Sequence, residues 1–304
     1  MPTLPPPRIA GLVAETWGRF TGDNAVLVCH SFSADARAAD TPAGPGWWRD
    51  LIGPGRAVDT NQWFVVASTL KPGVLNLAEA IAAQDALRAN LGVERWRLVV
   101  GGSMGGLQAL AWALAQPERV ERVVAIASAH RLAPSGRRHF LRGLAAVTAD
   151  LDAGGDGQRG LQTALAEAQG FSGGPASVTS APLRPSLTPQ TYRDRARLLL
   201  ETDLVQLWGD GDLERAAARI RAAVVLLGYR DDRVFSPTAQ RLLTAAIRRQ
   251  GGEAHHQLLP GHHGHDSFLA EPQTLAPWLA SALMPGPWHL PGRRCRPGSS
   301  ARAA

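Results

Sequence analysis

Five short apolar runs, separated by longer amphipathic segments, limit the fold of this chain more than any other feature. The runs are residues 25–29, 63–67, 97–100, 123–127 and 223–227. Continuous apolar runs of this length are typical of parallel strands that are covered on both faces. Helix-like segments lie between them, at residues 75–91, 104–116, 236–250 and 268–284. This alternation predicts a doubly wound α/β core with a mostly parallel central sheet and helices on both faces.

The alternation is interrupted between residues 134 and 215, where no strand-like run occurs. Glycine-rich stretches separate short helical segments there, and residues 187–201 are predicted to form a helix. We therefore expect a helical cap, residues 134–215, inserted into a core made of residues 1–133 and 216–285. Residues 286–304 are rich in Pro, Gly, Ser and Arg, which predicts a flexible basic tail.

Composition excludes several classes of protein. The chain has 304 residues, of which 45% are hydrophobic, so it can bury a full core. No apolar run reaches the roughly 18 residues of a membrane-spanning helix, and the first residues lack the pattern of a secretory signal. The net charge of +6 comes almost wholly from dispersed arginines, which favours a solvated surface over a nucleic-acid interface. Cys29 and Cys295 differ too much in surroundings to suggest a disulfide, so we expect a cytoplasmic protein.

The strongest chemical signal is the G-x-S-x-G motif at residues 101–105. It follows a predicted strand and precedes a predicted helix, the context in which such a serine is a nucleophile. Glycines on either side allow the sharp turn that exposes the Ser103 hydroxyl at the start of the helix. The sequence therefore predicts Ser103 as the nucleophile of an acyl-transfer or hydrolytic enzyme.

A nucleophilic serine needs a histidine base and a carboxylate that orients it, in the chain order Ser, acid, His. His265 is the predicted base, although His262 and His263 lie close enough to compete. Either Asp231 or Asp232 could be the acid after the strand at 223–227, and we favour Asp232. No second ligand cluster accompanies the histidines, so no metal is expected.

An oxyanion hole would complete this chemistry with two backbone N–H donors. The first is that of Met104, directly after the nucleophile. The second should follow the early strand at 25–29, where Phe32 is the candidate. His30, in the same segment, precedes the serine and is expected to support the loop by hydrogen bonding.

These segments resemble the homoserine O-acetyltransferase family of the α/β-hydrolase fold. The resemblance rests on GGSMGGLQAL at 101–110, GPGWW at 44–48, LIGPG at 51–55, DDRVFSP at 231–237 and GHDSF at 264–268. It covers roughly residues 10–130 and 220–283. The resemblance implies a catalytic triad of Ser103, Asp232 and His265. It also implies that acetyl-CoA or another acyl-CoA is the co-substrate and that no cofactor is bound. The acyl group would pass to homoserine by ping-pong kinetics, as a step of methionine biosynthesis.

The chain also departs from the family pattern. A glycine-rich loop after the strand at 63–67 is missing, the cap is short, and the family's cap arginine that binds the substrate carboxylate has no counterpart. Arg193, Arg195 or Arg197 could substitute, and Asp266 matches a family position near the substrate amine.

Because these changes could open the site to water, a serine esterase acting on a small ester is the alternative, and a non-catalytic binding protein is a third reading. The partners expected are small molecules, with a homodimer possible and neither nucleic acid nor membrane involved.

Overall fold

A seven-stranded sheet forms the centre of the computed structural model, which describes residues 12–70, 72–73, 76–172, 187–286, 288 and 291. The strands are β1 (Leu12–Trp17), β2 (Ala25–Cys29), β5 (Phe64–Leu70), β6 (Leu98–Gly102), β7 (Arg122–Ile126), β8 (Ala223–Tyr229) and β9 (Ala254–Leu259). Their spatial order is β1-β5-β2-β6-β7-β8-β9, and only β1 is antiparallel to its neighbour. A separate pair joins β3 (Ile52–Gly53) to β4 (Val58–Asp59). The prediction of an α/β fold with a mostly parallel sheet is confirmed.

Ten α-helices are described, and they cover both faces of the sheet. They are α1 (Leu77–Asn90), α2 (Met104–Ala115), α3 (Pro134–Asp152), α4 (Gln158–Ser172), α5 (Pro189–Glu201), α6 (Leu204–Gly209), α7 (Leu213–Ala218), α8 (Pro237–Arg249), α9 (Ser267–Ala270) and α10 (Ala276–Leu283). The prediction of a single helix at 268–284 is wrong, because two helices, α9 and α10, cover this segment. Pro272 starts a short 3-10 turn between α9 and α10, because proline cannot continue the hydrogen bonding of the preceding helix.

The core has two layers, one on each side of the sheet. Successive β2 side chains alternate between them: Leu27 belongs to the layer that includes α1, α2 and α8, and Val28 to the layer that includes α10. All five residues of β2 are buried. Helix α2 is buried along nearly its whole length, which places its first turn, next to the G-x-S-x-G serine, at the centre of the molecule.

The described part of the segment between β7 and β8 contains helices joined by loops and no strand. Helices α3, α4 and α5 pack on one another there, and α6 and α7 lead back to the sheet. The cap boundary expected at residue 215 falls inside α7, so the structural break is better placed before Leu213 or after Ala218. Helix α3 is a single element of 19 residues rather than one of several short pieces.

The expected flexible tail needs a correction at its first residues. The side chain of Trp288 is only 8% exposed and belongs to the core layer that contains α10. The Arg122 guanidinium lies 5.0 Å from the centre of its ring and also donates to the carbonyl of Gly286. The rest of the expected tail, apart from Pro291, lies outside the described residues.

Replacing Trp288 with alanine is therefore expected to lower the free energy of unfolding by about 3 kcal/mol, because a buried aromatic ring and its contact with Arg122 are lost. Urea denaturation of the full chain measures this loss. The control is Met284→Ala, since Met284 is 53% exposed. Equal unfolding midpoints for Trp288→Ala and the wild type would mean that the Trp288 contact contributes nothing in solution.

No helix within the described ranges is both long and apolar enough to cross a lipid bilayer.

Candidate active site

The predicted nucleophile occupies a sharp turn between a strand and a helix. Strand β6 ends at Gly102 and α2 begins at Met104, with Ser103 between them at φ 57° and ψ −121°. A positive φ is strained for a residue with a side chain. The Ser103 amide donates to the carbonyl of Ile126 over 2.8 Å, which ties the turn to the neighbouring strand β7.

Two glycines within residues 101–105 are required by close approach of other parts of the chain. A Cβ atom at Gly105 would overlap the carbonyl oxygen of Cys29, and one at Gly102 would overlap the ring of Phe268. The motif therefore packs the turn against β2 on one side and against α9 on the other. This packing holds the serine in its strained conformation.

A continuous chain of hydrogen bonds joins Ser103 to His265 and Asp232. The Oγ of Ser103 lies 2.8 Å from Nε2 of His265, and Nδ1 of His265 lies 2.9 Å from Oδ2 of Asp232. The other carboxylate oxygen of Asp232 accepts from the backbone N–H groups of Val234 and Phe235 at 2.8 and 2.9 Å. All three members are buried. The arrangement can move a proton from the serine to a histidine that a carboxylate orients.

The alternative histidines and aspartate lie elsewhere. His262 and His263 are 3.3 and 3.6 Å from the carboxylate of Glu271. The side chain of Asp231 is exposed, and none of its described contacts reaches His265. The structure thus brings together the three residues that the sequence favoured and leaves their competitors outside the chain of hydrogen bonds.

The pKa of His265 is raised above its usual value by the balance of two effects. Burial lowers the pKa, but the adjacent carboxylate of Asp232 and the charge of Asp266 favour the imidazolium and outweigh it. A protonated histidine cannot accept the proton of Ser103. Turnover should therefore fall with decreasing pH as His265 becomes protonated, and the raised pKa places this loss at a higher pH.

Replacing Asp266 with asparagine should shift the acidic limb of the pH profile to lower pH, because one negative charge that favours the imidazolium is removed. The measurement is kcat/KM for p-nitrophenyl acetate across pH, since this neutral substrate has no amine to bind Asp266. Asp210→Asn, at an exposed position, serves as the control. An unmoved or upward-shifted limb in Asp266→Asn would contradict the electrostatic role.

The two expected oxyanion donors come from different parts of the fold. Met104 opens α2, so its N–H is among the helix donors without an intrahelical partner. Phe32 lies in the loop after β2 and lines the same cavity as Ser103. His30 supports this loop: its Nε2 accepts from the N–H of Leu70 at 3.2 Å, and its Nδ1 lies 2.8 Å from the carbonyl of Ser31.

A buried arginine on α5 also holds the Phe32 loop. Arg195 donates to the carbonyls of Phe32 and Ala34, the latter at 3.0 Å. Burial lowers the pKa of Arg195 to about 10, an effect that the carboxylate of Asp35 opposes. The sequence identifies Arg195 only as one of several arginines on a helix. It does not indicate this contact, because both carbonyls lie more than 150 positions away in the chain. The described wall of the Ser103 cavity includes none of Arg193, Arg195 and Arg197, the three arginines that the sequence offers for binding the substrate carboxylate.

The Ser103 cavity has a volume of about 100 Å³ and a largely apolar wall. Helices α3, α4 and α5 supply much of that wall through residues that no sequence motif indicates: His139, Phe140, Leu165, Ala168 and Tyr192. Asp266 also lines the cavity, as its resemblance-based role requires. No lysine or arginine is part of the described lining.

Within the described ranges, no three His, Cys, Asp or Glu side chains converge as a ligand set for a metal ion. The described chain thus offers a nucleophile, a base and an apolar cavity for covalent acyl chemistry.

Known proteins resemble this chain over most of its length. A family model described as alpha/beta hydrolase fold matches residues 24–272. A homoserine O-acetyltransferase from Geobacter sulfurreducens is 30% identical, with 90% of each chain covered. A homoserine O-succinyltransferase from Bordetella pertussis is 29% identical, covering 86% of this chain and 79% of the other. The crystal structure of homoserine O-acetyltransferase from Bacillus anthracis superposes with a TM-score of 0.79 at 21% identity, covering 90% and 91% of the two chains, and bears on the fold alone.

Proposed function

Because the chain belongs to the homoserine O-acetyltransferase family of the α/β-hydrolase fold, we propose that it transfers an acyl group from acyl-CoA to the hydroxyl of homoserine. The observation that carries this proposal is the chain of hydrogen bonds from Ser103 through His265 to Asp232 at the floor of a small cavity. The proposed site acts in the cytoplasm on small molecules, and a homodimer stays a prediction.

The first half of the reaction acylates the serine. The Oγ of Ser103 attacks the thioester carbon while Nε2 of His265 takes its proton, and Asp232 stabilises the imidazolium that forms. The developing oxyanion accepts hydrogen bonds from the backbone N–H groups of Phe32 and Met104. The carbon–sulfur bond then breaks, and His265 gives its proton to the leaving thiolate.

The second half transfers the acyl group to the acceptor. The homoserine hydroxyl attacks the acyl-enzyme, His265 accepts its proton, and that proton returns to Ser103 as the ester leaves. Asp266, on the cavity wall, is proposed to bind the amine of homoserine. Because the relatives include both an acetyl- and a succinyltransferase, the proposal leaves the acyl group open between these two.

The test is an acceptor experiment. Acetyl-CoA or succinyl-CoA is mixed with the protein in the presence and absence of L-homoserine, and free CoA and the O-acylhomoserine are measured. CoA release that requires homoserine and produces an equal amount of the ester supports the transferase. If CoA release is the same with and without homoserine and no ester forms, the proposal is wrong.

A serine esterase is the second candidate, because the described lining of the Ser103 cavity has no lysine or arginine to bind the carboxylate of an amino acid. An apolar wall suits an uncharged ester. Rapid hydrolysis of p-nitrophenyl acetate without any transfer to homoserine would favour this candidate. Residual hydrolysis alongside strong transfer would favour the transferase.

A further inference from the structure

A second cavity, rich in arginine, adjoins the Ser103 cavity. It has a volume of about 370 Å³ and is lined by Ser135, Arg138, His139, Arg142, Glu167, Gly170, Phe171 and Arg233. The side chain of His139 lines both cavities. We call this second space the arginine cavity.

The arginine cavity carries a surplus of positive charge. Glu167 is the single carboxylate of its described wall, and it pairs with Arg142 over 2.9 Å. Arg138 and Arg233 are exposed and have no carboxylate partner among the described residues. Guanidinium groups of this kind bind phosphate and carboxylate groups with particular strength.

The wall of the arginine cavity is an ordered structure. The rings of His139 and Phe171 stack with planes 3° apart and centres 4.5 Å apart. The guanidinium of Arg233 lies 4.6 Å from the centre of the Phe171 ring. The hydroxyl of Ser135 donates to the carbonyl of Arg233 over 2.6 Å, which ties α3 to the loop that follows Asp232.

The volumes of the two cavities indicate what occupies the second one. The Ser103 cavity, at about 100 Å³, can hold an acyl group but is far below the 300 Å³ or more that a larger ligand occupies. An acyl donor with a large leaving group must therefore extend out of it. Resting on the acyl-CoA donor of the proposed function, we infer that the arginine cavity binds the phosphate groups of the donor, with Arg138 and Arg233 as the main contacts.

The acceptor is a less suitable occupant of this space. Homoserine is small, and its hydroxyl must reach the acyl group on Ser103. None of the three arginines belongs to the described lining of the Ser103 cavity. The phosphate groups of acyl-CoA are far from its reacting carbon, whereas the carboxylate of homoserine is close to its reacting hydroxyl. An adjoining cavity therefore suits the phosphates better than it suits this carboxylate.

The experiment compares acetyl-CoA with S-acetyl-pantetheine, which carries the same thioester without the phosphates. Steady-state kinetics of the full-length chain are measured with homoserine as acceptor. Arg138→Gln should raise the KM for acetyl-CoA about threefold, and Arg138→Gln with Arg233→Gln about tenfold, with a much smaller change for S-acetyl-pantetheine. Added salt should raise the KM for acetyl-CoA in the wild type more than in the double variant.

Two further variants sharpen the test. Glu167→Gln removes the opposing charge and frees Arg142, so it should lower the KM for acetyl-CoA. Arg215→Gln, which removes an exposed arginine of α7 that pairs with Asp210, should change neither donor's KM. Inhibition of p-nitrophenyl acetate hydrolysis by free CoA should weaken in the double variant in step with the KM.

The outcomes separate the two proposals. If the wild type transfers neither an acetyl nor a succinyl group to homoserine, from CoA or from pantetheine, the donor itself is wrong and both proposals fall. Equal losses on the two donors, or none, would overturn the arginine cavity as a phosphate site while leaving the transferase intact. A raised KM for homoserine with an unchanged KM for acetyl-CoA would overturn it in favour of the acceptor.

Discussion

Replacing Ser103 with alanine is expected to reduce turnover by roughly four to six orders of magnitude, because the three hydrogen-bonded residues act as a unit and the covalent route is lost. The measurements are acyl transfer to homoserine and hydrolysis of p-nitrophenyl acetate. Labelling by a fluorophosphonate probe, which reacts with activated serines, should disappear in the same variant.

Thr163→Ala is the matched control for the loss of a hydroxyl. Thr163 is exposed on α4, and its hydroxyl donates to the carbonyl of Arg159 in its own helix. This variant should keep full activity and full labelling. Probe labelling that persists in Ser103→Ala would show that another residue is the nucleophile.

Asp232→Asn is expected to lower kcat by about four orders of magnitude, because an amide at this position favours the wrong tautomer of His265. The neighbouring Asp231→Asn is the matched control. It makes the same chemical change one residue away, on an exposed side chain, and should stay within about twofold of the wild type.

Thermal denaturation must accompany these assays, since Asp232 also accepts two backbone N–H groups that order the loop after β8. A folded Asp232→Asn protein with high activity would exclude Asp232 as the orienting carboxylate. A greater loss in Asp231→Asn than in Asp232→Asn would assign that role to the other aspartate.

The sequence predicted the central strands and the three hydrogen-bonded residues because both depend on local pattern. Buried parallel strands are continuous apolar runs, and Ser103 lies in a motif whose glycines are dictated by packing. Asp232 lies in the loop after β8, which ends at Tyr229, and His265 lies in the loop after β9, which ends at Leu259. Residues at the carboxyl ends of parallel strands meet at one edge of the sheet.

The elements that the sequence analysis missed have weaker local signals. Strand β1 has only two fully buried residues, Leu12 and Ala14, and lies at the edge of the sheet, where it pairs antiparallel with β5. Helix α3 contains Gly136 and Gly143, and glycine is unfavourable in the interior of a helix. Both allow close packing, since a Cβ atom would overlap the backbone of Val234 or the hydroxyl of Tyr192.

The contacts that the sequence could not give are those between distant segments. Arg195 reaches the Phe32 loop, and the ring of Trp288 packs beside Arg122, each across more than 150 positions. The stack of His139 on Phe171 depends on how α3 and α4 cross. No periodicity within a helix specifies which residue of another helix it will meet.

The position of the helical segment between two paired strands affects how such a protein can diverge. Strands β7 and β8 are parallel neighbours, so the chain must in any case cross over from the end of one to the start of the other. Helices α3 to α7 lengthen that obligatory crossover without changing the pairing of residues 122–126 with 223–227. Insertions and deletions can therefore accumulate in the wall of the Ser103 cavity while the reacting groups keep their places, and substrate choice can drift during evolution independently of the chemistry.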